Sequence, residues 1–131
     1  MNNSIVDDWL DRFIQTALDR DLEAHMQLIS PEVLVFGVPG FETLDYDDWH
    51  RQCEHEFPQG LMKEISYDKR QIRTADDQHV LFKALETTCT NEGTRIAQGV
   101  ELLLQRNGDE WLLKQLRVLP EDEAKHDGLL A

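Results

Sequence analysis

A few residues of this sequence stand where their neighbours could give them chemistry. Glu86 lies between Ala84 and Thr88 in a run that opens with Val80 and Phe82, so alternation along a strand carries its carboxylate onto an apolar face. Burial there would raise its pKa and suit it to general acid or base work; a strand that turns outward, leaving the carboxylate solvated or paired, is the plainer alternative. Gln98 is the polar member of the row Ile96, Val100 and Leu102. A neutral amide in such a row fixes a ligand or a bound water. His25, bracketed by Leu22, Met26 and Ile29, belongs to a pocket mouth or merely to a helix flank. Tyr46 adds a phenol at the head of the stripe Tyr46, Trp49, Cys53 and Phe57. Glu86, His25 and Tyr46 are the catalytic candidates, and Gln98 is a ligand contact. Trp9, Phe13, Phe36 and Trp49 are either the apolar wall of that ligand site or plain core, and one set of side chains can be both. His50, Cys53 and Glu54 have the i, i+3, i+4 spacing of a zinc set, but Cys53 belongs to an apolar stripe and reads as a packed thiol. Neither a metal nor a cofactor is expected. The acidic loop Glu42, Asp45 and Asp47 reads as a solvated helix cap, and no phosphate loop, nucleophile elbow or CxxC pair is present.

The elements that would position these groups can be read from periodicity. Ser4-Ile5-Val6-Asp7 has the form of a capping box, and Ile5, Trp9, Leu10, Phe13, Ile14, Ala17 and Leu18 follow at helical spacing. Asp21 caps a short second helix carrying Leu22, Met26 and Ile29, closed by Ser30-Pro31. Val33–Phe36 is a short buried strand, broken by Gly37-Val38-Pro39-Gly40. Asp45, with Asp48 three residues on, caps a third helix that runs to Phe57. Beyond Leu61 the turn signals Asp76-Asp77, Asn91-Glu92-Gly93 and Asn107-Gly108-Asp109 divide four long strands, about 62–75, 78–91, 94–106 and 110–119, into an antiparallel meander. Both faces of this sheet are apolar, with Leu112, Leu116 and Val118 on one side of the last strand and Trp111, Leu113 and Leu119 on the other. Three helices cover one face, so the other is expected to pack against a second copy of the chain, burying Ala97, Leu103 and Leu113.

The 131 residues suit one domain, placed at 1–119, followed by a loose acidic polar tail at 120–131. Acidic residues outnumber basic ones 26 to 13, for a net charge of −13, which repels phosphate backbones and anionic headgroups. Nucleic acid and membrane surfaces are therefore not expected partners. With no apolar span, no basic N-terminal leader and two cysteines outside any redox spacing, a cytoplasmic protein with both thiols reduced is expected.

Ala17-Leu18-Asp19-Arg20-Asp21-Leu22-Glu23, Leu28-Ile29-Ser30-Pro31-Glu32-Val33 and Asn107-Gly108-Asp109-Glu110-Trp111, in this order of elements, resemble the nuclear transport factor 2-like superfamily, the SnoaL-like or cystatin-like α+β cone. The resemblance implies three helices on a strongly curved, mainly antiparallel sheet (α-α-β-α-β-β-β-β) around a pocket, and a homodimer through the outer sheet face. Set against the ketosteroid isomerases of that superfamily, the oxyanion tyrosine falls on Phe13, the catalytic aspartate on Gly37, and the second oxyanion donor near Glu101 or Leu102. With no hydroxyl at Phe13 and no carboxylate at Gly37, steroid isomerisation is not expected. What remains is a cavity binding a small hydrophobic molecule, with scope for isomerase, cyclase or hydratase-type acid–base chemistry, or a non-catalytic dimeric adaptor.

Overall fold

The computed structural model describes residues 2–131, with side chains from Ser4 onward. Helix α1 (Asn2–Leu18) buries Val6, Trp9, Leu10 and Phe13 and keeps Asp7, Asp8, Asp11 and Arg12 in water, as its periodicity requires. It begins before Ser4, which therefore lies in the first turn and not at the expected cap. Helix α2 (Leu22–Met26) is capped by Asp21, whose carboxylate accepts from the Ala24 N–H at 3.1 Å. Ile29, expected on this helix, instead opens strand β1 (Ile29–Phe36), because its backbone pairs with Leu113. Strand β2 (Thr43–Leu44) folds back on β1 and leads into α3 (Tyr46–Glu56). Here Asp45 and Asp48 form a full capping box, each carboxylate accepting from the other's N–H at 3.0 and 3.1 Å. A 3₁₀ turn over Phe57–Gln59 ends at Gly60 in left-handed geometry.

Strands β3 (Met62–Ala75), β4 (His79–Thr90), β5 (Arg95–Asn107) and β6 (Glu110–Val118) form the antiparallel meander within a residue or so of the expected bounds. β1 joins β6 in parallel, giving a curled mixed sheet in the order β2-β1-β6-β5-β4-β3. Breaks in the β3–β4 ladder, one of them at Lys69 with φ 53°, bend the strands around the helices. The inner face supplies Val80, Phe82, Ala84, Val100, Leu102 and Leu104 to one core with α1.

Two expectations are corrected. Leu113, assigned to the opposite face from Leu116, is fully buried in the same core. The β5–β6 ladder breaks between Leu103 and Leu104, so Leu104 pairs with Leu113 and Leu102 with Leu116, and the extra residue lets both leucines face inward. The C-terminal segment is not loose: it forms α4 (Glu121–His126) and docks on the outer sheet face. Gly99 makes the seat, since a Cβ there would lie 2.8 Å from the Ala124 Cβ and 3.2 Å from Leu119. The acidic charge that reads as solvated is neutralised locally. Lys83 Nζ lies 2.6 Å from Asp127 and 3.2 Å from Glu123, while Arg117 bridges Glu123 and Glu101.

Candidate functional site

Tyr67, Glu86 and Gln98 stand side by side on the inner faces of β3, β4 and β5, each opposite the next in register. The Tyr67 hydroxyl donates to Glu86 Oε2 at 2.7 Å, and the Gln98 amide donates to Oε1 at 2.9 Å. Because an ionised carboxylate only accepts, this fixes the amide's orientation and leaves the Gln98 carbonyl oxygen turned away from Glu86. Tyr67 is buried. That burial first, and then the neighbouring Glu86 charge, hold its phenol well above the usual tyrosine range. Ile96, next on the inner face beyond Gln98, is 54% exposed, so the row stands at the open end of the curled sheet.

Phe13 connects this row to an aromatic cluster. Its ring centre lies 6.2 Å from Tyr67, 4.7 Å from Trp9, 4.8 Å from His25 and 6.0 Å from Trp49. Phe57 closes the group on His25 at 5.3 Å. His25 is buried, and burial lowers its pKa to about 4, so the ring is neutral at neutral pH. The Thr16 hydroxyl donates to the Arg12 carbonyl at 2.8 Å, so we assign the proton of the 3.0 Å contact to His25 Nδ1, donating to Thr16. The indole N–H of Trp9, a residue only 3% exposed, has no acceptor among the described residues.

Trp9, Phe13, Trp49 and His25 are thus brought together, and through Tyr67 they adjoin Glu86 and Gln98. Phe36 is not among them. It pairs with Arg117 on the outer face, because the alternation of β1 turns Val33 and Val35 inward. Tyr46 lines a separate open groove of about 640 Å³ with Leu22, Met26, Ile29 and Leu112. Cys53 is a buried free thiol, its pKa pushed up to about 12 chiefly by burial, and Cys89 is free as well. Tyr67 and Phe57 are the members that the sequence reading leaves out of the site. Gly37 has φ 83°, and a Cβ on it would come within 2.3 Å of the Val118 carbonyl oxygen. Leu102 enters the core and Glu101 meets Arg117 outside it, so neither offers an acid to the interior.

The sequence matches the SnoaL-like domain family over residues 6–118. Among solved structures, an NTF2-like protein from Cytophaga hutchinsonii superposes with a TM-score of 0.75 at 10% identity, covering 90% of this chain and 97% of that one. A candidate dehydratase of the NTF2-like family from Streptomyces avermitilis gives 0.68 at 15% identity, covering 89% and 94%. Bd1075 from Bdellovibrio bacteriovorus gives 0.72 at 14% identity; 88% of this chain is covered, but it spans only 40% of that protein. No curated protein matches. Identities this low carry the fold alone, whereas the family match covers most of the sequence and agrees with the curled sheet and the order of elements. The chain belongs to the SnoaL-like domain family of the nuclear transport factor 2-like superfamily.

Proposed function

We propose that this protein binds a small hydrophobic molecule at the open end of its curled sheet, with the Trp9, Phe13 and Trp49 cluster as the apolar wall and Glu86 with Gln98 as the polar anchor. The observation that carries the reading is the Tyr67–Glu86–Gln98 row, a half-buried carboxylate held by two neutral donors beside an aromatic cluster. Apolar walls with a few oriented polar groups are the makeup of ligand sites. The unmatched Trp9 N–H adds a donor for a ligand's acceptor, since a buried donor left without a partner costs about 1–3 kcal/mol. Any reaction at this site would be acid–base chemistry of the isomerase, cyclase or hydratase kind. Tyr67, its proton committed to Glu86, serves there as a positioning residue.

In this reading the protein works as a cytoplasmic homodimer. The free thiols of Cys53 and Cys89 fit a reducing compartment. On the outer face the cross-strand row Leu34, Gln115, Leu103 and Leu81 stays partly exposed beside α4 and would meet the second copy. One observation favours the adaptor alternative: the aromatic side chains themselves occupy much of the space between α1 and the sheet.

A thermal-shift screen with a hydrophobic metabolite library, read with tryptophan fluorescence, tests the choice. Binding raises the melting temperature by mass action and perturbs Trp9 or Trp49 emission. Gln98→Leu should then alter which compounds bind more than it alters stability. A screen without a single shift removes the ligand-site reading and leaves the adaptor.

A further inference from the structure

We propose that the ligand of this site carries a protonated amine, seated against the Glu86 carboxylate with its apolar body on the aromatic cluster. The inference rests on the ligand-site reading above and specifies its chemistry.

The first argument concerns charge. Glu86 takes two hydrogen bonds, both from neutral groups, and forms no ion pair among the described residues. Three carboxylates of the outer face meet cations: Asp127 meets Lys83, Glu123 meets Lys83 and Arg117, and Glu101 meets Arg117. The remaining titratable group of the aromatic cluster, His25, is buried and bonded to Thr16. The negative charge of Glu86 therefore stays uncompensated on a partly desolvated face, where a cation is worth far more than at an open surface.

The second argument counts donors and acceptors. The Tyr67 hydroxyl and one Gln98 N–H are spent on Glu86. The acceptors left over on this β4–β5 rung are the remaining carboxylate lone pairs and, turned away from them, the Gln98 carbonyl oxygen. An ammonium group has three donors and no acceptor, and so suits leftover groups that accept; the Trp9 N–H, the one buried side-chain donor without a partner among the described residues, calls for an acceptor elsewhere on the ligand. A carboxylate would meet the Glu86 charge head on. A neutral hydroxyl satisfies one acceptor and leaves the charge in place. The aromatic cluster that adjoins this row through Tyr67 offers apolar surface for the ligand's hydrocarbon part.

Calorimetric titration with three ligands that share one skeleton, naphthylethylamine, naphthylethanol and naphthylpropanoate, separates the possibilities at neutral pH and moderate salt. The amine is expected to bind at least about tenfold more tightly than the alcohol, and the acid more weakly than either. Glu86→Gln should bring the amine down to the alcohol's affinity while alcohol binding persists. Asp109→Asn removes one negative charge from the exposed β5–β6 turn and should leave the amine preference intact, which controls for the field of an acidic protein. An alcohol or acid that binds as tightly as the amine overturns the inference and leaves the ligand site standing. Equal loss of amine preference in Glu86→Gln and Asp109→Asn overturns it too, reducing it to bulk charge. If none of the three binds while the metabolite library gives a shift, the amine inference falls and the ligand site stands; if the library is blank as well, both fall.

Discussion

The carboxylates on the two faces of the sheet are held in opposite ways. On the outer face Glu101, Glu123 and Asp127 share Arg117 and Lys83, and their network fastens α4 to the strands. At the open end of the inner face Glu86 has, among the described residues, a phenol and an amide as its side-chain partners. A carboxylate whose charge is met inside the chain has done its work once the chain is folded. One whose charge is left over still has an interaction to make. The outer set fastens α4 to the sheet, whereas the inner residue is the one on which the proposed ligand site rests, although both arise from the same acidic composition.

This contrast can be broken most directly by pH. His25, in the inner cluster, takes a proton only near pH 4 when folded but near its ordinary 6.5 when unfolded, so the unfolded state binds more protons between those values. Stability should fall as pH drops from about 6.5 toward 4, by on the order of 3 kcal/mol. Arg117 first, and then Lys83, lower the Glu123 pKa to about 2, so the outer contribution is retained until pH passes below about 4.5. Urea midpoints across this range should show the first window in the wild type and lose it in His25→Phe. A wild-type profile flat from pH 7.5 to 5 would contradict the assignment.

Lys83→Met is next in size. It takes the ammonium away from Asp127 and Glu123 and should lower the urea midpoint. Adding Asp127→Asn should restore part of that loss, as a double-mutant cycle in urea would show. Gly99→Ala presses a methyl into Ala124 and should cost about 1–2 kcal/mol, with faster amide exchange confined to residues 119–131. Smallest of all is Glu86→Gln, expected to change stability by less than about 1 kcal/mol because it removes an uncompensated charge and keeps an acceptor for Tyr67. A loss as large as that of Lys83→Met would place Glu86 among the fastening carboxylates.

How much of this was legible depended on whether a ladder ran unbroken. The β4–β5 hairpin keeps one register from His79↔Gln105 to Cys89↔Arg95, so the pairing of Glu86 with Gln98 follows from the position of the turn, and both residues stood out as polar members of apolar rows. The β3–β4 hairpin does not. Carried down unbroken from Ala75↔Val80, it would set Tyr67 opposite Thr88; the shifts along β3, with Lys69 in left-handed geometry, bring Glu86 there instead. No local pattern around Asp68–Gln71 announces such a bulge, so the phenol of the row was hidden. Phe36 misled for a different reason. Val33–Phe36 is apolar throughout, and such a run does not reveal which parity faces inward. The docking of α4 was obscured by its composition, because acidic residues read as solvated until the basic side chains beneath them are known.

Gly37 limits what this scaffold could be turned into. In the isomerases that the chain resembles, a carboxylate stands at this place. Here the backbone has φ 83°, and the first carbon of any side chain would sit 2.3 Å from the Val118 carbonyl oxygen. Writing Asp at position 37 therefore would not install a base; it would push β1 and β6 apart. The distance from that chemistry is one of main-chain path and not of residue identity, and engineering toward it would begin with the turn after β1.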